Sequence, residues 1–268
     1  MDEAEGSRLG IDASVAHPAR RYNYLLGGKD NFAADRESAD EFVRQFPTVR
    51  LAARENRGML QRAVRFLAAE RGIRQFLDIG TGLPTADNTH EVAQRVAPES
   101  RIVYVDNDPL VMTHARALLT SAKQGRTAYL EADLRNPEAI LEDARETLDL
   151  SRPVGLVLVA VLHFIQGDGA ALPLVRRLLE PLAPGSYVIV THATHAFATP
   201  EQLAGYMQRR AEGQYDLWAR GRDEIAELFE GLNLEEPGIV PISEWRPEPG
   251  AELPPAKHVS ILGAVARK

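Results

Sequence analysis

The stretch FLDIGTGLPT, residues 76–85, decides the fold. Phe76, Leu77 and Ile79 form a short apolar run broken only by Asp78, and Gly80 and Gly82 follow at once. Glycine at those two positions lets the backbone turn tightly and approach a ligand with no side chain in the way. A strand running into such a turn reads as the opening of an α/β unit, whose ligands lie beyond the C-terminal strand ends.

Working outward, short apolar runs alternate with helical stretches. Strands are expected at Gln75–Ile79, Arg101–Val105, Ala128–Glu131, Gly155–Val161, Tyr187–Thr191, Gly238–Ile242 and Val259–Ala266. Helices are expected near Ala86–Val96, Pro109–Ser121, Pro137–Thr147, Gly169–Leu182, Pro200–Arg210 and Asp223–Glu230. This alternation implies a mostly parallel sheet covered by helices on both faces. The near-continuous apolar run GLVLVAVLHFI, 155–165, suits a central strand buried on both sides. The connection EWRPEPGAELPPAK, 244–257, is too proline-rich for a crossover helix, so the last two strands read as an antiparallel pair.

Upstream, residues 1–16 are polar and read as frayed. The segment YNYLLGGKDNFAADR, 22–36, mixes glycine, aromatic and charged residues without clean periodicity. A short helix is expected over Ser38–Gln45, before Pro47. A longer one is expected over Leu51–Arg71, where Leu51, Met59, Leu60, Val64 and Leu67 follow amphipathic spacing and Gly72 ends the pattern. The chain therefore divides into a frayed stretch 1–16, an N-terminal helical cap or lid 17–72, and an α/β domain 73–268.

At 268 residues, with 44% apolar and 26% charged residues, the composition is that of an ordinary globular domain with an added segment. No run of about 18 apolar residues suggests a membrane span, and MDEAEGSRLGIDAS lacks the apolar core of a secretory signal. A cytoplasmic location is expected. The absence of cysteine excludes disulfides, thiolate metal sites and a thiol nucleophile. A formal charge of -7 argues against a nonspecific nucleic-acid binder.

Three acidic positions fall at the ends of successive strands: Asp78, Asp106 in VYVDND (103–108), and Asp133 in YLEADL (129–134). An acid ending the second strand can accept from both hydroxyls of a ribose. One after the third can accept from an adenine amine. Singly, Asp106 also reads as a helix cap before Pro109, and Asp133 as a cap or turn before Pro137. Their joint occurrence behind the glycine turn is harder to assign to capping. A pyrophosphate would need free backbone N–H groups and a third glycine. Here Thr85 stands where that glycine would be, and Pro84 removes a donor. S-adenosylmethionine has no phosphate, and its ammonium group suits Asp78. The residues favour S-adenosylmethionine over a nicotinamide dinucleotide.

The order of these motifs is similar to that of the class I methyltransferases. The whole chain after residue 16 resembles an actinobacterial family known as S-adenosyl methyltransferases, formerly a domain of unknown function. The likeness rests on 19–37, 55–68, 76–94, 103–119 and 220–240. It implies a Rossmann-like sheet of order 3-2-1-4-5-7-6 with strand 7 antiparallel. It also implies cofactor contacts from Asp78, Gly80, Thr81, Gly82, Asp106, Asn107, Asp133 and Leu134, and from Tyr24 and Asn31 of the signature segment 22–36. Pro84 departs from the wider class near its usual third glycine and leaves the loop path open.

Methyl transfer is an in-line displacement that depends mainly on positioning, with a base needed only if the acceptor must lose a proton. Histidines at the ends of the fourth and fifth strands, His163 and His192 with His195 nearby, are candidate bases; each reads equally as a packed structural residue. No carboxylate stands at ligand spacing beside them, so no metal site is expected. The segment 22–36 reads either as a surface loop or as a lid that excludes water. The favoured function is O- or N-methylation of a small-molecule acceptor, in specialised metabolism. The alternatives are a non-catalytic S-adenosylmethionine-binding sensor or partner protein and, disfavoured by Pro84 and Thr85, a nicotinamide oxidoreductase.

Overall fold

The computed structural model of the protein describes residues 11–118 and 121–268. Most of the stretch expected to be frayed, residues 1–10, and the two residues 119–120 expected to continue a helix lie outside the described residues.

Three helices precede the sheet: α1 (Pro18–Leu25), α2 (Ala33–Gln45) and α3 (Val49–Glu70). The sheet domain then runs β1 (Gln75–Ile79), α4 (Thr89–Val96), β2 (Arg101–Asp106), α5 (Pro109–Leu118), β3 (Arg126–Glu131), α6 (Pro137–Ala144) and β4 (Gly155–Val159). It continues with a 3-10 turn (Leu162–Phe164), α7 (Ala171–Leu179), β5 (Tyr187–Ala193), α8 (Pro200–Ala211) and α9 (Arg222–Glu227). It closes with β6 (Asn233–Leu234), β7 (Val240–Pro241), α10 (Ala256–Val259) and β8 (Ile261–Arg267).

The sheet order is β3-β2-β1-β4-β5-β8-β6, with β7 also paired to β8. Strands β1 to β5 pair in parallel, and β8 is antiparallel to β5, β6 and β7. With β6 and β7 counted as one interrupted strand, this is the expected order 3-2-1-4-5-7-6 with an antiparallel seventh strand. Alternation along each strand sends Leu77, Val103, Leu156 and Val188 to one apolar layer and Phe76, Ile102, Val157 and Ile189 to the other. The first layer is covered by α6, α7 and α9, and the second by α3, which buries Met59, Leu60, Ala63, Val64 and Leu67. Among the described residues no helix is long and apolar enough to cross a membrane.

Three local expectations change. The segment 22–36, read as irregular, is the end of α1, a tight turn and the start of α2. Pro18 opens α1 behind His17, whose Nδ1 accepts the Ala19 N–H (3.3 Å). In the turn, a Cβ on Gly28 would lie 2.3 Å from the Asn23 amide, so glycine is there to let Asn23 in. Helix α2 starts at Ala33 rather than Ser38, because Asp35 accepts the Phe32 N–H (2.8 Å) and the His17 N–H (2.9 Å) while fully buried. Strand β4, expected to reach Val161, stops at Val159, since Ala160 takes a left-handed φ of 55° and the chain turns into the 3-10 segment.

Helix α3 is the spine of its layer, and Leu67 is wholly buried there. Leu67→Ala should cost about 2–5 kcal/mol of unfolding free energy, measured by urea denaturation with unchanged denaturant sensitivity. A loss under about 1 kcal/mol would mean that α3 is not part of the cooperative core.

Candidate cofactor and acceptor site

The turn leaving β1 is clamped to the end of β2. Gly80 and Thr81 both donate their N–H groups to the Val105 carbonyl (2.8 and 3.2 Å), and Gly82 donates to Asp106 Oδ2 (2.8 Å). Gly80 has φ 73°, and a Cβ there would fall 2.4 Å from Val161 Cγ2, so the turn presses directly on the end of β4. Further on, Thr85 N–H goes to Asn88 Oδ1 (3.1 Å), and Asn88 caps α4 together with Glu91. The glycine turn has therefore spent these donors inside the protein. It offers them to no pyrophosphate, whereas a cationic, phosphate-free cofactor has no need of them.

The acids fit such a cofactor. Asp78 is buried, takes the Thr89 hydroxyl on Oδ2 (2.5 Å), and is pushed up to about 6 by burial, against the pull of Thr89 and Arg57. Asp106 is 5% exposed. Burial raises its carboxyl as well, opposed by the N–H groups of Gly82 and Asp108 (2.8 and 3.0 Å). Each of its oxygens keeps a lone pair for a further donor. The cap of α5 is Asp108, which accepts the Leu110 N–H (2.9 Å), so Asp106 is not needed for capping. Asp133 is bound into a local turn by Arg135 N–H (2.8 Å) and guanidinium (3.0 Å), with Asn107 Nδ2 3.4 Å away. Leu134 is buried in the core, where its side chain packs.

The cap reaches this end through residues that local periodicity did not single out. Phe32 packs on Leu83, Leu110, Val111 and Met112. Arg20 Nε and His17 Nδ1 each lie 3.1 Å from Asp108 Oδ2. Burial pushes the Asp108 carboxyl up, but His17, the Leu110 N–H and Arg20 outweigh it and hold it below the usual range. On α3, Arg57 reaches the carbonyls of Ala86 and Asp87 (3.4 and 3.3 Å) beside the glycine turn. By contrast, Tyr24 and Asn31, expected at the cofactor, turn inward. Tyr24 donates to Asp40 (3.1 Å) beneath Arg50, and Asn31 bonds Asn23 (2.9 Å), Gly28 (3.0 Å) and Arg36 (3.1 Å). These contacts tie the segment 22–36 to α2 and α3.

His163 and His192 meet at the ends of β4 and β5, with ring centroids 5.7 Å apart. His192 is completely buried, its Nδ1 2.8 Å from the Ala193 carbonyl and its Nε2 2.7 Å from Arg220 Nη1. Arg220 can only donate, so Nε2 accepts and Nδ1 carries the proton. Burial, with the Arg220 charge, pushes His192 down to about 3 even though the Ala193 carbonyl pulls the other way. Both nitrogens are thus engaged, and His192 is not available as a base. His163 is driven well below the ordinary histidine value by burial and by the charges of Arg220 and Arg21, while its Nδ1 accepts the Ala193 N–H (3.4 Å). His195 lies 3.9 Å from Glu224. Among the described residues no group of three acids or histidines is placed to hold a metal ion.

A family described as S-adenosyl methyltransferase matches residues 4–268. A DUF574 family protein from Streptomyces avermitilis is 48% identical over 96% of this chain and 99% of its own, with a TM-score of 0.89. A candidate methyltransferase from Thermobifida fusca is 42% identical over 97% of each chain, with a TM-score of 0.86. A carboxy-S-adenosyl-L-methionine synthase from Trichlorobacter lovleyi is 30% identical over 146 residues, 52% of this chain. The match spans about half of that protein's length, 54%.

The raised Asp78 carboxyl has a consequence for stability. Its folded value of about 6 exceeds the ordinary 3.8, so keeping Asp78 ionised in the cofactor-free fold costs stability above pH 6, and the cost fades as pH falls towards 4. Asp78→Asn should raise the unfolding free energy of the cofactor-free protein by about 1–3 kcal/mol at pH 7.5 and by little at pH 4. It should also abolish binding of S-adenosylmethionine measured by calorimetry. Equal stability of the two proteins at pH 7.5, or retained binding, would remove Asp78 from this role.

Proposed function

This chain belongs to the S-adenosyl methyltransferase family, and we propose that it methylates an oxygen or nitrogen of a small-molecule acceptor held where β4 and β5 end. S-adenosylmethionine supplies a methyl carbon already activated by its sulfonium. Asp78, the glycine turn, Asp106 and Asp133 hold that cofactor in this reading, and Asp78 faces its ammonium group.

The observation that carries the small-molecule reading is a roof over the ends of β4 and β5. Helix α8 and the loop to Arg220 cross this end of the sheet as a strap, and none of the residues of α8 is buried. The strap is pinned below, where Trp218 N–H donates to the His163 carbonyl (2.7 Å). It meets the cap above, where Arg21 pairs with Asp216 and the Tyr215 hydroxyl donates to Gln45 Oε1. A sheet end covered from two sides suits a compact acceptor, and the net charge of -7 disfavours a nucleic-acid polymer.

His163, buried beneath the strap, is a neutral imidazole in this reading. Because its Nδ1 accepts the Ala193 N–H, the proton sits on Nε2, which makes the ring a hydrogen-bond donor rather than a base. It orients an acceptor lone pair, and catalysis rests on proximity. The donor set has no use for a dinucleotide, and the setting is a cytoplasmic enzyme.

Incubation with methyl-labelled S-adenosylmethionine and a fractionated small-metabolite extract tests this reading. Label should appear in a low-molecular-weight product. Tight cofactor binding with no transfer to any fraction would instead support a sensor, and label in a protein or nucleic-acid fraction would overturn the small acceptor.

The roof also makes a kinetic claim. If cap and strap close together, cofactor should slow amide exchange across both 22–36 and 212–219. Arg21→Gln should speed exchange in both segments while the strands of the sheet keep theirs. Exchange that is unchanged by cofactor in both segments would reduce the roof to a static surface.

A further inference from the structure

At the opposite edge of the sheet from the cofactor turn lies a second concave site. It is formed where β1, β4 and β5 begin and β8 ends, and it encloses about 270 Å³. Four arginines line it: Arg71, Arg74, Arg152 and Arg267.

Two of the four are already neutralised. Arg71 forms a two-pronged pair with Glu235 (2.8 and 2.7 Å), which lifts the arginine further above its usual value. Arg74 bonds Glu99 (2.8 Å) and the carbonyls of Ala68 and Ile73 (2.7 and 3.0 Å). The guanidinium groups of Arg152 and Arg267 have neither an ion pair nor a hydrogen bond among the described residues. Asp149 senses Arg152 only through its field, since the Asp149 carboxylate is bonded to Ser151 (2.6 and 3.0 Å). The neighbouring Lys268 turns away, its Nζ donating to three carbonyls at the end of α7 (2.6 to 2.8 Å).

The floor between the two unpaired arginines is bare. Gly185 lies there at φ 86°, its N–H donated to the Lys268 carbonyl (3.2 Å). A Cβ on Gly185 would be 3.7 Å from Arg267 Nη2 on one side and 3.7 Å from Pro153 Cγ on the other. Arg152 precedes that proline, and both arginines are exposed and line the same cleft. Two arginines without an ion-pair partner on one cleft, in a protein of net charge -7, make a local anion-attracting spot.

We propose that this cleft binds a small phosphoryl-bearing molecule whose dianionic phosphate bridges Arg152 and Arg267. A phosphate has three terminal oxygens that can accept from two planar forks arriving from different directions, and its charge matches the two free cations. The volume lies just below the range usual for drug-sized ligands, about 300–1,000 Å³, which limits the ligand to a phosphate with a few attached atoms. The site shares no residue with the cofactor end and does not depend on the acceptor reading.

Calorimetric titration of the full chain with glycerol 3-phosphate and with inorganic phosphate, at constant ionic strength, tests the proposal. Wild-type protein should bind at least one of the two saturably, and the bound phosphate should raise the melting temperature by mass action. The exposed double substitution Arg152→Gln with Arg267→Gln should weaken that binding at least tenfold, with S-adenosylmethionine affinity unchanged as the check on folding. Binding of the ester alone, or of both, decides whether the attached atoms are read. Absence of saturable binding, equal binding by the double variant, or equal competition by chloride would each overturn the proposal.

Discussion

The carbonyl oxygen of Val105 accepts two consecutive N–H groups from the turn that leaves β1, and the next residue, Asp106, accepts a third. This clamp is the constraint on which the rest of the cofactor end depends. It welds the ends of β1 and β2 into one unit and holds the Gly80 backbone so close to Val161 that β4 joins the same unit. It also decides what the turn can recognise. Backbone donors aimed into the protein cannot cradle phosphate, and the polar groups left beside the turn are the carboxylates of Asp78 and Asp106.

The same constraint makes the cofactor-free site electrostatically uncomfortable. Asp78 and Asp106 are both buried with raised carboxyls, and each feels further charge of its own sign nearby. A bound cation relieves that tension. At the ends of β4 and β5 the problem is inverted. Arg220 is 2% exposed, and its guanidinium bonds the carbonyls of Leu162 (3.3 Å), Ile165 (2.9 Å) and Gly167 (2.9 Å) and the ring of His192. A protonated His192 would set two positive charges in contact, so the ring stays neutral and serves as an acceptor. The histidine pair that a reading of strand ends singles out for chemistry is, in half, the support of a buried arginine.

What could be read from the chain and what could not divide along the range of the interactions involved. The alternation of strands and helices, the antiparallel last pair, the long helix expected over Leu51–Arg71 and the acids at three strand ends are written in local period and in turn residues, whereas the sheet order came from the resemblance to the class I methyltransferases. Helix α1 was not legible, because it buries polar side chains: Asn23 is matched within the following turn, and Arg20 by Asp108 far along the sequence. Asp35, which fixes where both α1 and α2 begin, bonds the N–H of His17, 18 residues earlier. The partner of His192 is hidden from local pattern for the same reason, since Arg220 stands 28 residues away. Even the cofactor end needed Thr89, His17 and Arg20 to be complete, and none of these stands in a spacing that marks it.

Helix α1 carries both ends of the cap's attachment on adjacent residues. Successive helical residues point about 100° apart, and here Arg20 turns in to Asp108 while Arg21 turns out to Asp216. The two pairs differ in kind. Arg20 and Asp108 are almost wholly buried, their side chains 5% and 2% exposed, so separating them would strand charge in a poorly hydrated place. Arg21 and Asp216 are solvated, 20% and 48% exposed, and an exposed pair contributes only about 0–1 kcal/mol. The cap is therefore held firmly where it abuts the cofactor turn and loosely where it meets the strap. The contact of α1 with the end of β2 is thus the costlier of the two to break, and the contact with the strap the cheaper.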